Sequence, residues 1–89
     1  MGEPNLNVAV LTSKHVMKEK SPIVYATIDD DGIWEFWSKE LVSESEIMVV
    51  ALRQIIAVDA SVKNILDLQA GFTAIRKDGD AKWEIVAKN

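Results

Sequence analysis

Short apolar stretches separated by polar turns divide the chain into strands and brief helices. Residues 6–12 and 23–28 are rich in aliphatic and β-branched side chains, which favours strands. The first stretch, LNVAVLT, is apolar on both faces, as is typical of a strand inside a sheet. Between the two, Ser13 predicts the cap of a single helical turn that carries Val16 and Met17 inward.

The stretch DDDGIWEFW, at 29–37, predicts a tight hairpin with the strand before it. Asp-Gly between two strand-like runs is a strong turn signal, because a two-residue turn needs positive φ at both positions. With Asp31 and Gly32 in the turn, Ile28 lies opposite Glu35 and both faces are mostly apolar. One face then carries Val24, Ala26, Ile28, Ile33 and Trp37, and the other carries Tyr25, Thr27, Trp34 and Phe36. We expect this hairpin to be covered on both sides or to keep one aromatic face for a partner. A longer loop would shift the pairing without removing the two-faced pattern.

The middle of the chain combines a helix-start signal with a β-branched run. Ser43 and Glu46 match a capping box, which would allow one helix to run as far as Val58. The residues that follow are β-branched, however, and helical spacing begins only later. We therefore predict a strand at 46–50 followed by a helix at 52–58, with the single long helix as the alternative.

The last third of the chain predicts a second short helix and a second hairpin. Asp59 can cap the helix, and Asp78-Gly79 marks the hairpin turn. In that register Arg76 falls on the same side of the hairpin as Trp83. Arginine beside aromatic side chains indicates either an ion pair at the margin of the core or an outward anchor, and we favour the ion pair.

These elements predict an α+β fold, with an antiparallel sheet of five to six strands and short helices packed on one side. Eighty-nine residues suffice for one domain, 1–89, in which we expect residues 1–5 to form a loose tail. The chain contains no cysteine, which excludes disulfides and thiolate zinc sites. It has no signal-like start and no apolar run of about 20 residues, so we expect a cytoplasmic protein without a membrane partner.

Acidic residues are concentrated in one part of the chain. The net charge is −4, and residues 29–46 hold seven of the 14 acids against one base, Lys39. Nucleic-acid binding needs a basic patch, so we expect no nucleic-acid partner. The acidic cluster suits a basic protein partner, and a solvated loop is the alternative explanation.

The hairpin carboxylates do not match a calcium loop. If Gly32 takes the sixth position of an EF-hand pattern, Thr27 and Ser38 fill the first and twelfth positions, where acids are needed. A zinc site built on histidines also fails, because His15 is the only histidine. We therefore expect no metal ion and no cofactor.

Ser13 or Ser21, together with His15 and a distant acid, is the one arrangement that suggests a hydrolase. The chain lacks the G-x-S-x-G motif that holds a serine nucleophile, and its four glycines are scattered. A lone histidine on a short lysine-bearing turn is typical of a surface residue. We expect no catalytic residues and a protein that is not an enzyme.

A non-enzymatic binding protein is the leading hypothesis from these observations. Acids between 29 and 46 would steer a basic partner, and aromatic side chains would anchor it. The residues predicted to contact the partner are Tyr25, Asp30, Asp31, Trp34, Phe36, Glu40 and Glu44. Core packing is the alternative role for the aromatics, and an edge strand or the aromatic face would permit a homodimer. The second hypothesis is a small-ligand or regulatory module with a pocket between the helices and the sheet.

Five sequence blocks cover nearly the whole chain: SKHV at 13–16, SPIVY at 21–25, DDDGIWEFWS at 29–38, VVALRQIIAVDASV at 49–62 and GFTAIR at 71–76. Together they resemble a small bacterial family of unknown biochemical function that is grouped with immunity proteins of polymorphic toxin systems. Two positions depart from the family pattern, since Lys39 stands in place of a glycine and Phe72 in place of a tryptophan. The resemblance implies an immunity-like protein that occludes a partner such as a toxin, and it carries over no catalytic residues.

Overall fold

Six short strands form one sheet in the computed structural model, which describes residues 5–87. The strands are β1 (Ala9–Ser13), β2 (Tyr25–Ile28), β3 (Trp34–Trp37), β4 (Ile47–Ala51), β5 (Phe72–Ile75) and β6 (Glu84–Ala87). Their order across the sheet is β4-β1-β3-β2-β5-β6. The α+β prediction is confirmed, and β1 lies inside the sheet as its two-sided apolar pattern indicates. Of the predicted tail at 1–5, all but Asn5 lies outside the described residues.

One strand pair differs from a purely antiparallel arrangement. β1 runs parallel to β3, with Leu11 beside Glu35, whereas the other neighbouring strands are antiparallel. A parallel pair needs a long crossover connection. The chain between β1 and β3 contains α1 (Lys14–Met17) and strand β2. In the sheet, β3 lies between β1 and β2.

The helical segments are short, and local side-chain caps start three of them. The Ser13 hydroxyl accepts a hydrogen bond from the Val16 amide at 3.3 Å, at the start of α1. Two further helical segments are 3₁₀ helices, Glu44–Glu46 and Ala60–Ile65, which begin with the predicted Ser43–Glu46 capping box and the predicted Asp59 cap. The helix α2 covers Leu52–Val58 as predicted. Strand β4 precedes it, so the strand-plus-helix interpretation is confirmed.

The core lies between the helices and one face of the sheet. Successive strand side chains point to opposite faces, and one alternate set is buried with the helices. The strands contribute Val10, Ala26, Ile28, Phe36, Val50 and Ala74 to this cluster. The helical segments contribute Val16, Leu52, Ile55, Val62 and Ile65. The helices therefore cover one side of the sheet.

The first hairpin has a longer loop than predicted, which changes its register by one residue. Asp29 donates its amide to the Ile33 carbonyl at 3.0 Å, leaving a three-residue loop in which only Gly32 has positive φ. Ile28 consequently lies opposite Trp34, not Glu35. The predicted two-residue Asp31–Gly32 turn and its facing pairs are therefore wrong.

The second hairpin also has a longer loop, but its register moves by two residues. Ala74 lies opposite Ile85, where the Asp78-Gly79 turn predicted Trp83. A shift of two positions keeps every side chain on its predicted face, because strand side chains alternate with period two.

None of the helices described between residues 5 and 87 has the length and hydropathy that a membrane span requires.

Candidate functional site

The sheet face turned away from the helices carries large apolar side chains. We call it the open face and define it by the strand positions that alternate with the core positions. Its large apolar members are Leu11, Tyr25, Trp37, Ile47, Val49, Ile75 and Val86. All of them are exposed or half-buried, in contrast to the buried alternate set.

An aromatic and aliphatic row crosses the three central strands of the open face. Tyr25 on β2 lies opposite Trp37 on β3 and opposite Ile75 on β5, so the three side chains are cross-strand neighbours. The Tyr25 side chain is 39% exposed. The Trp37 ring is held in place, because its Nε1 donates to Glu35 Oε1 at 3.1 Å. This row is the most aromatic part of the open face.

A second row has a polar centre. Glu35 lies beside Leu11 on one side and opposite Thr27 on the other. Thr27 and Thr73 are buried between larger neighbours, and their hydroxyl oxygens are 3.3 Å apart. Val49 continues the row onto the edge strand β4, where it is 66% exposed. The open face thus combines an apolar rim with hydrogen-bonding groups at its centre.

Every charged strand position on the open face is acidic. Glu35 and Glu84 point to this face, and none of its strand positions holds lysine, arginine or histidine. Asp30 and Asp31, both exposed, lie in the loop that joins its two central strands. An acidic apolar surface attracts a partner that carries basic and apolar side chains.

The aromatic residues predicted as partner anchors separate onto two faces. Tyr25 lies on the open face, where it is exposed. Phe36 lies on the helix side and is fully buried, and Trp34 stacks on it with ring centroids 5.4 Å apart. Phe36 is therefore corrected from anchor to core residue, because it has no exposed surface to offer. Trp34 is half-buried against the same core.

Asp29, which was not among the predicted partner residues, organises the acidic loop. Its carboxylate Oδ1 accepts hydrogen bonds from the amides of Asp31 and Ile33, each at 2.9 Å. The neighbouring carboxylates of Asp30 and Asp31 are left exposed. The three consecutive acids thus divide into one that holds the turn and two that face solvent.

The two remaining predicted residues lie outside the strands of the sheet. Glu40 accepts hydrogen bonds from the Ser21 hydroxyl at 2.9 Å and the Ser38 hydroxyl at 2.5 Å. These bonds, led by that of Ser38, lower the pKa of Glu40. Glu44 is exposed in the first 3₁₀ segment, beside strand β4. Glu40 thus ties the loop after β3 to the segment before β2.

Trp37, Ile75 and Glu35 belong to the candidate site but were not predicted to. The predicted two-residue turn puts Trp37 on the face opposite Tyr25, because that turn is one residue shorter than the observed loop. The sequence did contain a signal for the observed arrangement. Glu35 is the one charged residue of β3. Residues two apart in a strand share a face, so Trp37 lies on the same face as this charged residue.

His15 lies among glutamates and not beside a serine. Its Nδ1 is 2.9 Å from Glu19 Oε1, and its Nε2 is 3.5 Å from Glu46 Oε1. Ser13 is fully buried and caps α1 with its hydroxyl, while the Ser21 hydroxyl bonds Glu40. The hydrogen bonds of Ser13, His15 and Ser21 are therefore made to other residues, and these three side chains do not bond one another.

We expect His15 to titrate above 6.5, the usual value of its side chain. The hydrogen bond with Glu19 raises its pKa, partial burial opposes this, and the charges of Glu19, Glu46 and Glu40 raise it further. Because the pKa of His15 is higher in the folded state than in the unfolded state, its contact with Glu19 stabilises the fold fully when the pH is below the pKa of the unfolded state. That stabilisation is lost as the pH rises through the pKa of the folded state. Two-dimensional NMR of the ring against pH measures this, with Glu19→Gln as a variant that should move the pKa down. An unchanged midpoint in that variant would contradict the assignment.

The guanidinium of Arg76 contacts three different polar partners. Its Nε donates to the Ile23 carbonyl at 2.8 Å, its Nη1 donates to the Ser61 hydroxyl at 3.0 Å, and its Nη2 pairs with Asp59. The guanidinium lies 4.2 Å from the centroid of the Trp83 ring. The predicted ion pair at the core margin is confirmed.

A shallow groove on the helix side is the second candidate site. It has two parts, of 420 Å³ and 340 Å³, which share Ile85. Ile65 and Trp83 line the first part, and Leu68 and Phe72 line the second. The groove lies between the second 3₁₀ helix with its following turn and the β5–β6 edge of the sheet.

Neither a metal site within residues 5–87 nor a matching known protein is found. Within residues 5–87, no group of three histidine, cysteine, aspartate or glutamate side chains is placed to hold a metal ion. Comparisons with family models, with curated proteins and with solved structures gave no significant match.

Proposed function

We propose that this chain is a non-enzymatic protein-binding domain that docks a basic protein on its open face. The observation that carries the proposal is the row Trp37–Tyr25–Ile75, which crosses the central strands without any helix on it. Tryptophan and tyrosine are enriched at the energetic centres of protein interfaces. A sheet face that keeps such side chains partly exposed is typical of an interaction surface.

The charges of the open face indicate the chemistry of the partner. Glu35 would lie under the centre of the interface, and Asp30 and Asp31 would lie at one end of it. Lysine or arginine on the partner can pair with these carboxylates, which accelerates association and penalises acidic competitors. The resemblance to immunity proteins makes a basic toxin a suitable class of partner, blocked by occlusion of its working surface.

A photo-crosslinking amino acid at position 25 tests the proposal in cells, and the same residue at position 85 serves as the matched control. Tyr25 and Ile85 are similarly exposed, at 39% and 49%, but lie on opposite faces of the sheet. We expect position 25 to capture a basic protein and position 85 to fail to capture it. Adding Glu35→Lys should abolish that capture. Capture of the same proteins from both positions, or capture that ignores the charge reversal, contradicts the proposal.

The captured protein then allows a quantitative prediction. Trp37→Ala should weaken its binding about 30-fold, because a central interface tryptophan contributes about 2 kcal/mol or more. Ile85→Ala removes an apolar side chain that is 49% exposed, more than Trp37, from the helix side, and it should leave the affinity unchanged. Isothermal calorimetry gives both values, and urea unfolding of each variant checks that the fold is retained. Equal affinities for the wild type and Trp37→Ala would remove Trp37 from the interface.

The groove beside Ile85 supports a second candidate function, which is binding of a small apolar ligand on the helix side. Its apolar lining residues include Ile65, Trp83, Leu68 and Phe72, and polar side chains such as Asn64 and Gln69 line it as well. The Ile85→Ala variant discriminates between the two functions, because it alters the groove and leaves the open face intact. Loss of small-ligand binding in Ile85→Ala, with that binding retained in Trp37→Ala, favours the ligand function.

A further inference from the structure

The edge strand β4 has an unusual composition for an edge. Its residues, IMVVA, are uncharged and apolar, and it pairs with β1 on one side only. Exposed edges normally carry lysine, proline or a bulge that prevents pairing with another chain. Val49, at the centre of this strand, is 66% exposed.

The ladder with β1 shows which backbone groups of β4 point outward. Leu52 donates its amide to the carbonyl of Val8, the residue opposite it in the β1–β4 register. Hydrogen-bonded and non-bonded pairs alternate along an antiparallel ladder. Val50 and Met48 therefore bond β1, whereas the amides and carbonyls of Ile47, Val49 and Ala51 point away from the sheet.

The two ends of this outward edge are already occupied within the chain. The Ile47 amide donates to the Glu44 carbonyl, and the Ala51 amide donates to Gln54 Oε1 at 2.9 Å. The Val49 amide and carbonyl remain between them as an adjacent donor and acceptor. A single residue that offers one donor and one acceptor is self-complementary, because two copies related by a twofold axis exchange both bonds.

We propose that this chain forms a weak symmetric homodimer by antiparallel pairing of β4 with β4 of a second copy, centred on Val49. The charges at the ends of the strand agree with this register. Arg53, the one charged residue of α2, follows the end of β4 closely, and Glu44 and Glu46 lie just before its start, so the twofold axis would bring Arg53 near these acids of the second copy. Each dimer would thus contain two such pairings of arginine with acids, one at each end of the seam.

The dimer would join the two open faces into one continuous surface of 12 strands, since each copy supplies six. Val49 of both copies would become adjacent, and Ile47 would lie opposite Ala51 of the second copy. Only two backbone hydrogen bonds and a few apolar side chains are gained, so we expect dissociation in the upper micromolar range. The inference is independent of the partner-binding proposal, because it uses the edge of the sheet and not its face.

Sedimentation velocity of the purified chain, from a few micromolar to about 1 mM, measures this dimer. Val49→Pro removes the central amide, and proline is tolerated on an edge strand where its nitrogen faces outward. It should weaken dimerisation at least about tenfold, because both central hydrogen bonds are lost. Val49→Lys retains the amide and places like charges opposite each other, so it should also yield a monomer. Val86→Lys, on the opposite edge strand, is the matched control and should dimerise normally.

A charge-swap series tests the register itself. Arg53→Glu should weaken the dimer about fivefold, and so should Glu44→Arg. The double variant Arg53→Glu/Glu44→Arg restores opposite charges across the seam and should recover the wild-type dissociation constant. A chain that stays monomeric at 1 mM would overturn the inference. So would a dimer that survives both Val49 substitutions, or one that Val86→Lys disrupts.

Discussion

Phe36→Ala is expected to lower the free energy of unfolding by about 3–5 kcal/mol. The ring is fully buried in the centre of the sheet, between the neighbouring strands β1 and β2, and Trp34 stacks on it. Its removal loses the transfer free energy of a large side chain and leaves a cavity that short strands cannot close. Domains of this size are stable by about 5–15 kcal/mol, so the loss is a large fraction of the total. Urea unfolding followed by tryptophan fluorescence gives the difference.

Phe72→Ala is the matched control, because it deletes the same side chain from a position that is 41% exposed. We expect it to cost clearly less than Phe36→Ala. Phe36→Leu provides a graded value if the alanine variant is unfolded, and it should cost about 1–2 kcal/mol. If the two alanine variants lose the same stability, Phe36 is not a core residue, and the hairpin register that places it there is wrong.

Features that depend on close neighbours in the chain could be predicted from the sequence. Ser13, Asp59 and the Ser43–Glu46 box cap helical segments in the structure, because a capping side chain acts on amides two or three residues away. β-branched residues favour the strand after residue 46, and the apolar residues that follow are spaced as in a helix up to residue 58. Local chemistry is sufficient for such elements.

Register and long-range pairing could not be predicted in the same way. Asp-Gly is compatible with a two-residue turn and with the observed loop, where only Gly32 takes positive φ. That one-residue difference exchanges the faces of Trp37 and Phe36, and with them the identity of the candidate site. The parallel pairing of Leu11 with Glu35 joins distant parts of the chain, and no local pattern signals it.

Arg76→Met is expected to cost about 3 kcal/mol, the second largest loss among these variants. The substitution keeps most of the volume but leaves the Ile23 carbonyl without its side-chain donor and Asp59 without its cation. A buried or half-buried charge that loses its partner is strongly destabilising. Arg53→Met is the matched control, since Arg53 is exposed, and at a few micromolar protein it should change stability by less than about 0.5 kcal/mol.

A double-mutant cycle with Asp59→Asn isolates the ion pair from the other contacts of Arg76. Asp59→Asn should be costly in the wild type and much less costly in Arg76→Met, because the interaction it removes is already absent. Additive losses in the two single variants and the double variant would mean that Arg76 stabilises the fold through Ile23 and Trp83 alone.

The acid dependence of stability provides a further measurement on the same pair. Burial raises the pKa of Asp59, but the hydrogen bonds from Ser61 and Arg76 outweigh it and lower the pKa below its usual value. A lowered folded pKa means that this group stabilises the fold above the unfolded pKa, and that the stabilisation is lost as pH falls through the folded pKa. The wild type should therefore lose stability in acid more steeply than Arg76→Met does. Parallel pH profiles would contradict this.

Carbene footprinting of the free chain, and of its complex with the captured basic protein, identifies the sheet face that the partner covers. Mass spectrometry locates the label at the level of single residues. We predict that Tyr25, Trp37 and Ile75 are labelled in the free chain and protected in the complex, while Phe72 and Ile85 on the helix side keep their label. Protection of Phe72 and Ile85, with Tyr25 and Trp37 unchanged, would place the partner on the helix side and refute docking on the open face.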